Sequence, residues 1–289
     1  MTEFAPRVIE GNLDLADRLR APSGLDQGAV MWKVAGASVP GTVHLAAGQP
    51  CDEASGWFAA DGLTCLLVAN GAGSRPLSRQ GSAFAVHSAL TAVRAGWPGG
   101  EDAHHAAWMR AILAHVRASL SQFAAGQRRD PRDYATTLAV VVLTDEVACV
   151  GQIGDAAVVA HLPDGYETVA PGPGGEHVKE TAFVTDNQGV ADARITVLPA
   201  RPLDAVFLAT GGLRFQIHDD LMSAAPFSPF FDYLGAYLRS ADASAEGVER
   251  FLAGLTDDHP REDKTLVGAV RCAAPTCAGV STAGAAAGR

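Results

Sequence analysis

The sequence predicts an α+β layered domain built on antiparallel sheets, and three observations carry that reading. Strand-like segments follow one another in meander order, helical stretches come in pairs rather than between successive strands, and one joint is too short for a parallel crossover. The joint is the sharpest of the three. LAVVVLT and VACVGQI are separated only by Asp145 and Glu146, which suits a tight hairpin, whereas parallel strands need a connection of roughly a dozen residues.

Taken in order, residues 1–28 are polar and interrupted by Pro and Gly, with a weak amphipathic stretch at Leu13 to Leu19, and read as a surface arm. The domain proper, residues 29–271, starts with MWKVAGASV, GTVHLAA and LTCLLVAN, short apolar segments between Gly, Pro and polar clusters that read as strands. Two helical stretches follow. In the second, Met109, Ile112, Leu113, Val116, Leu120 and Phe123 recur at three- and four-residue steps, so one stripe faces a core. The polar turn QRRDPRD closes it. After Tyr134 come the hairpin and AAVVAHL as a third strand. A Gly/Pro-rich loop, Pro171 to Gly175, then leads to the strands ARITVLP and LDAVFLAT. The aromatic cluster PFFDYLGAYL, a helix through Val248, Phe251, Leu252 and Leu255, and a last strand TLVGAV complete the domain. Residues 272–289, CAAPTCAGVSTAGAAAGR, hold almost no large apolar side chain and are expected to form a flexible tail.

Composition limits what such a domain does. With 48% apolar and 19% charged residues and a mean hydropathy of +0.10, the chain can bury a sizeable core, which excludes intrinsic disorder. Its 22 basic and 32 acidic residues give a net charge of -10, a field that repels phosphate backbones and anionic lipid. Neither a nucleic-acid nor a membrane partner is expected. The five cysteines, Cys51, Cys65, Cys149, Cys272 and Cys277, are odd in number, scattered and without a Cys-x-x-Cys pair, so they read as reduced thiols. The first thirty residues lack a basic start and an apolar run, and no stretch approaches the roughly 20 apolar residues of a span. A cytoplasmic protein is the expectation.

Several short motifs fall in one order: GTVH (Gly41 to His44), CDEA (Cys51 to Ala54), LLVANGAGS (Leu66 to Ser74), YATTL (Tyr134 to Leu138), Gly154 with Asp155, GEHVKETAFVTD (Gly175 to Asp186), FLATGGL (Phe207 to Leu213) and EDKTLVGAV (Glu262 to Val270). Their succession between Met31 and Arg271 resembles the metal-dependent protein phosphatases of type 2C (PPM-type), in their compact bacterial branch. There the corresponding segments read Gly-x-Ser-His, Cys-Gln-Asp-Ala and Asp-Gly-Ala-Gly-Ser. The resemblance implies a four-layer αββα sandwich, two antiparallel sheets flanked by helices, with the site at one end. It also implies a pair of magnesium or manganese ions held by aspartates. Such a pair lowers the pKa of a bridging water and neutralises the phosphoryl oxygens, which is what phosphomonoester hydrolysis needs at neutral pH.

Against that pattern the carboxylates are depleted. Asn70 stands at the bridging aspartate, followed by Gly71, and the Thr-Asp-Gly motif has become Thr210, Gly211, Gly212. Glu53, preceded by Asp52, replaces the first aspartate, and Glu262, followed by Asp263, occupies the last motif; only Asp155 keeps the family's form. His44 and Arg75 are the phosphate-binding candidates, although an arginine near a turn, like Arg75 or Arg79, is more often simply solvated. By the same reasoning Gly71 to Ser74 is more often just a turn, His104 and His105 face solvent on a helix, and Cys51 is a small buried residue. The leading reading is a regulatory or binding pseudophosphatase with a decayed centre and a phosphoprotein or regulatory protein as partner. The rival is an active serine/threonine phosphatase holding manganese or magnesium with Glu53, Asp155, Glu262, Asp263 and waters. Recruitment of the cleft to a small-molecule phosphoester is a third reading, without a nucleophile triad to support it. In the first two readings Asn70, Asp155 and Glu262 should converge at one edge of the sandwich.

Overall fold

A computed structural model of the chain describes residues 30–170, 181–220, 224–255, 262–273 and 283–287. The N-terminal arm, with its amphipathic stretch, and the Pro171 to Gly175 loop lie outside these residues. The elements run β1 (Val30–Val39), α1 (Thr42–Ala46), β2 (Glu53–Ala60), β3 (Leu63–Asn70), α2 (Ser78–Arg94), α3 (Asp102–Gly126), β4 (Leu138–Leu143), β5 (Val147–Ile153), β6 (Ala157–Leu162) and β7 (Gly165–Ala170). Then come β8 (Arg194–Pro199), β9 (Ala205–Ala209), the short α4 (Arg214–Ile217) with the two small strands β10 (His218–Asp220) and β11 (Ala225–Pro226), α5 (Ser228–Arg239), α6 (Ala245–Ala253), β12 (Lys264–Ala273) and β13 (Ala283–Ala287).

Two antiparallel sheets form the middle of the molecule. One runs β1-β12-β9-β6-β7, the other β13-β2-β3-β4-β5-β8. Side-chain alternation shows why both sheets are covered on two faces. Along β4, Ala139, Val141 and Leu143 enter the core between the sheets, while Leu138, Val140 and Val142 pack beneath α2 and α3 with Val86, Met109 and Leu113. A strand apolar at every position is what that burial requires. On the far side, Phe207, Leu266 and Val270 meet Phe231, Leu234 and Leu238 of α5 and Val248 and Leu252 of α6. The result is the helix, sheet, sheet, helix order expected, with the β4–β5 hairpin in place.

Five local expectations need correcting. GTVHLAA is not a strand but the five-residue α1, none of whose residues is buried. It packs no apolar face and is instead tethered through hydrogen bonds to Asp263, described below. Besides the short strands β10 and β11, in a stretch expected to be a polar linker, two longer strands were missed. The first, β2 (EASGWFAA), is buried nearly throughout, yet its small and polar residues give it no apolar alternation. The second, β7 (GYETVA), is half-exposed over its first four residues. Part of the region read as a flexible tail is also a strand: Ala283–Ala287 pairs antiparallel with β2, Ala283 opposite Phe58 and Ala287 opposite Ala54. Pairing at a sheet edge uses only backbone N–H and C=O groups, so a segment without large side chains can supply it.

Candidate functional site

The strand ends named by the motifs meet at one edge of the sandwich. Glu53 opens β2 and is paired in register with Asn70, the last residue of β3. Asp155 lies in the turn after β5, Gly211 just after β9, and Glu262 and Asp263 just before β12. Around them is a cleft of about 430 Å³, lined by Val43, His44, Asp52, Glu53, Asn70, Gly71, Ala72, Gly73, Thr137, Asp155, Thr181, Phe183, Gly211, Glu262 and Asp263. Asn70, Asp155 and Glu262 therefore converge as expected. Arg75 does not line the cleft; it is exposed on the turn beyond Gly73.

The backbone around Asn70 is pinned. Its N–H donates to Thr137 Oγ1 at 3.0 Å, and its carbonyl accepts from the Thr137 N–H at 2.9 Å. The next position admits only glycine, because a Cβ on Gly71 would sit 2.7 Å from the Asp52 carbonyl oxygen and 2.8 Å from that of Ser78.

Each carboxylate has a distinct environment. Glu53 is buried, and its Oε2 accepts a 2.7 Å hydrogen bond from Thr210 Oγ1. Burial pushes its pKa up to about 8, opposed by hydrogen bonds from Thr265 and Thr210. Asp155 is also raised by burial, with its own backbone N–H and the positive charges of Arg194 and Arg214 working the other way. Arg194 is held there by an Nη2 hydrogen bond to the Gly154 carbonyl. Asp52 is raised by burial, opposed mainly by His44.

Asp263 is buried and fully engaged by the chain. Its Oδ1 accepts from the Gly41 N–H at 2.7 Å and lies 2.8 Å from His44 Nδ1, while Oδ2 accepts from the Asp52 N–H at 2.6 Å. Gly211 contributes no side chain where one would fit. A Cβ built there would lie 3.6 Å from Asp155 Oδ2 and 3.9 Å from Glu262 Oε2, both ordinary contacts. At Gly212, by contrast, a Cβ would lie 1.9 Å from the Asp263 carbonyl oxygen. Among the described residues, no three His, Cys, Asp or Glu side chains form a group suited to a metal ion.

Sequence reasoning missed Thr210 as the partner of Glu53, although it belongs to a motif already in view, and gave no signal for Arg194 or Arg214 beside Asp155. The histidine pair divides. His104 is exposed, whereas His105 is buried and stacks on Trp97 with ring centroids 4.7 Å apart, contrary to the exposure expected. Cys51 is buried as expected, and burial pushes its thiol far above the usual range, so it is inert as a nucleophile.

Stacked antiparallel sheets between helix pairs, with acidic residues gathered at one end, define a phosphatase-type αββα sandwich. The chain belongs to the protein phosphatase 2C family, whose model matches residues 40–253. Serine/threonine-protein phosphatase 3 of Escherichia coli (strain K12) is 27% identical over 244 residues, 81% of this chain and 96% of that protein. Two solved structures share the fold. Serine/threonine phosphatase Stp1 from Staphylococcus aureus superposes with a TM-score of 0.60 at 14% identity, covering 86% of this chain and 98% of its own. The catalytic domain of PstP, in complex with two manganese ions, superposes with a TM-score of 0.60 at 16% identity, covering 85% and 100%. Among the described residues no helix is long and apolar enough to cross a membrane.

Proposed function

We propose that this family member binds rather than hydrolyses, acting as a regulatory pseudophosphatase whose cleft no longer suits the metal pair of the family. The observation that carries the reading is Gly211, which leaves the space between Asp155 and Glu262 without a third carboxylate. Three further features point the same way. Asn70 offers a neutral amide oxygen at the bridging position. Glu53, with its pKa near 8, carries a proton through most of the neutral range. Both oxygens of Asp263 are occupied by N–H groups of Gly41, Asp52 and His44. Among the described residues lining the cleft, Asp52, Asp155 and Glu262 remain as anionic donors, and neither Asn70 nor Gly211 adds a carboxylate between them to compensate two divalent cations. Without cations, carboxylates around the cleft repel an incoming phosphoryl dianion, so a partner is held by surfaces outside it. A regulatory protein or phosphoprotein in the cytoplasm is the partner class we assign. Buried free thiols at Cys51, Cys65 and Cys149 suit that reducing compartment.

The test pairs calorimetric titration of manganese with turnover of a phosphopeptide. Wild type should take up little metal and hydrolyse little substrate, while Asn70→Asp with Gly211→Asp should bind manganese at least about tenfold more tightly, each single change doing less than the pair. At Gly211 the backbone accepts a Cβ without a clash. Robust manganese-dependent turnover by wild type, abolished by Glu53→Ala, Asp155→Ala or Glu262→Ala, would establish the rival enzyme instead.

A further inference from the structure

The charged residues outside the cleft are unevenly placed. Segments 72–81 and 127–134 together carry five arginines, Arg75, Arg79, Arg128, Arg129 and Arg132, against two aspartates, Asp130 and Asp133, in a chain whose net charge is -10. The two segments are far apart in sequence but joined in space. Ala72 donates to the Ala135 carbonyl at 2.9 Å and Leu77 to the Asp133 carbonyl at 3.0 Å. The approach is tight enough that a Cβ on Gly81 would lie 2.0 Å from the Tyr134 carbonyl oxygen. Arg75, Arg128, Arg129 and Arg132 are exposed, and none of the four forms an ion pair with another described residue. Of the two aspartates, Asp130 has one carboxylate oxygen occupied by the Arg132 N–H at 2.9 Å.

We infer that this arginine ridge is a docking surface for an aspartate- and glutamate-rich segment of a partner protein. The inference rests on the binding role proposed above and supplies the partner's chemistry. Guanidinium groups with no ion-pair partner among the described residues can make paired hydrogen bonds to carboxylates. The ridge begins at the rim of the cleft, since Ala72 and Gly73 line it, but none of the four exposed arginines does. The four cations are thus carried on two joined segments outside that cleft, which suits several singly charged carboxylates better than one dense dianion bound within it. A phosphoryl group at the rim would also face the carboxylates of the cleft. A long polyanion would meet the negative field of the remaining surface, whereas a short acidic segment meets only the ridge. Arginine ridge and acidic segment are complementary in charge.

The experiment measures fluorescence anisotropy of a labelled acidic peptide with the full-length protein. Beside it run a glutamine-substituted control, a phosphoserine-containing version and a single-stranded oligonucleotide. The acidic peptide should bind and the glutamine control should not, with affinity falling about tenfold as salt rises from about 50 to about 300 mM. Arg129→Glu with Arg132→Glu should weaken binding at least about tenfold, and the milder Arg129→Gln with Arg132→Gln should weaken it in the same direction if the reversal disturbs folding. Arg250→Glu, an exposed arginine on α6 outside the ridge, should leave it unchanged. Binding insensitive to the ridge variants, or lost equally with Arg250→Glu, overturns the inference. Tighter binding of the phosphopeptide or the oligonucleotide than of the acidic peptide overturns it too. These readings are independent of metal, so failure here leaves the cleft assignment standing, and an active cleft would not abolish docking.

Discussion

Glu53 shows how burial at a single position changes what a carboxyl group does. Enclosed at the start of β2, it holds its proton up to about pH 8, against an ordinary value of 4.5, even though a hydrogen bond from Thr210 favours the ionised form. Between those two values the folded chain retains a proton that the unfolded chain has released. This contribution to stability is therefore complete below pH 4.5 and declines as pH rises through 8. Glu53→Gln keeps the shape and removes the titration. Urea unfolding should find the variant more stable than wild type by about 1–3 kcal/mol at pH 8.5, with the gap closing toward pH 5. A variant that stays less stable at pH 8.5 would show that the fold does not raise the Glu53 pKa. Sequence alone placed Glu53 at a site but could not give its protonation state, because that depends on burial by the assembled fold, in which the neighbouring Thr210 comes from 157 residues away. The failure at His105 has a similar origin, since the indole of Trp97 that covers it cannot be read from helical periodicity.

At the level of elements, legibility followed how much of a segment's burial is written in its own apolar residues. The β4–β5 hairpin and the stripe of α3 were readable because LAVVVL and the spaced Met109, Ile112, Leu113, Val116 and Leu120 enter cores by themselves. GTVHLAA looked the same in one dimension, yet α1 is fixed by a carboxylate from the other end of the chain. Strand β2 hid behind glycine, serine and alanine that fit because helix α2 lies close: a Cβ on Gly56 would meet Val86 Cγ1 at 2.7 Å. The α3 stripe gives a direct test. Leu113 is fully buried between that helix and the sheet, so Leu113→Ala should destabilise the fold by about 2–5 kcal/mol in denaturant unfolding. A loss below about 1 kcal/mol would mean that the helix packs loosely.

For the whole molecule, three apolar layers stack in sequence, helices on sheet, sheet on sheet and sheet on helices, and the site is simply where strand ends from both sheets come level. An α+β layered fold was legible from the succession of strands and paired helices, and the order of its four layers from the family resemblance. Which strand joined which sheet was not, because β6 follows the β4–β5 hairpin directly in sequence yet pairs with β9 across the sandwich. The edge strand β13 offers a test at this scale. Deleting residues after Ala273 removes five alanine and glycine residues paired to β2, a loss of backbone pairing with little apolar area. The thermal midpoint should fall by only about 2–5 °C. A fall beyond about 10 °C would make β13 integral to the sandwich.

Asp263 carries a consequence for reading related chains. One carboxylate gathers the N–H groups of Gly41 and Asp52 and the ring of His44, closing the thirteen-residue excursion between β1 and β2 like a clasp on a strap. An aspartate at that motif position thus has a reason to exist that is indifferent to turnover. Counting it as evidence of catalysis confuses joinery with chemistry. A census of working and silent members should weigh the residues at the positions of Asn70 and Gly211, where a carboxylate would have no comparable structural task.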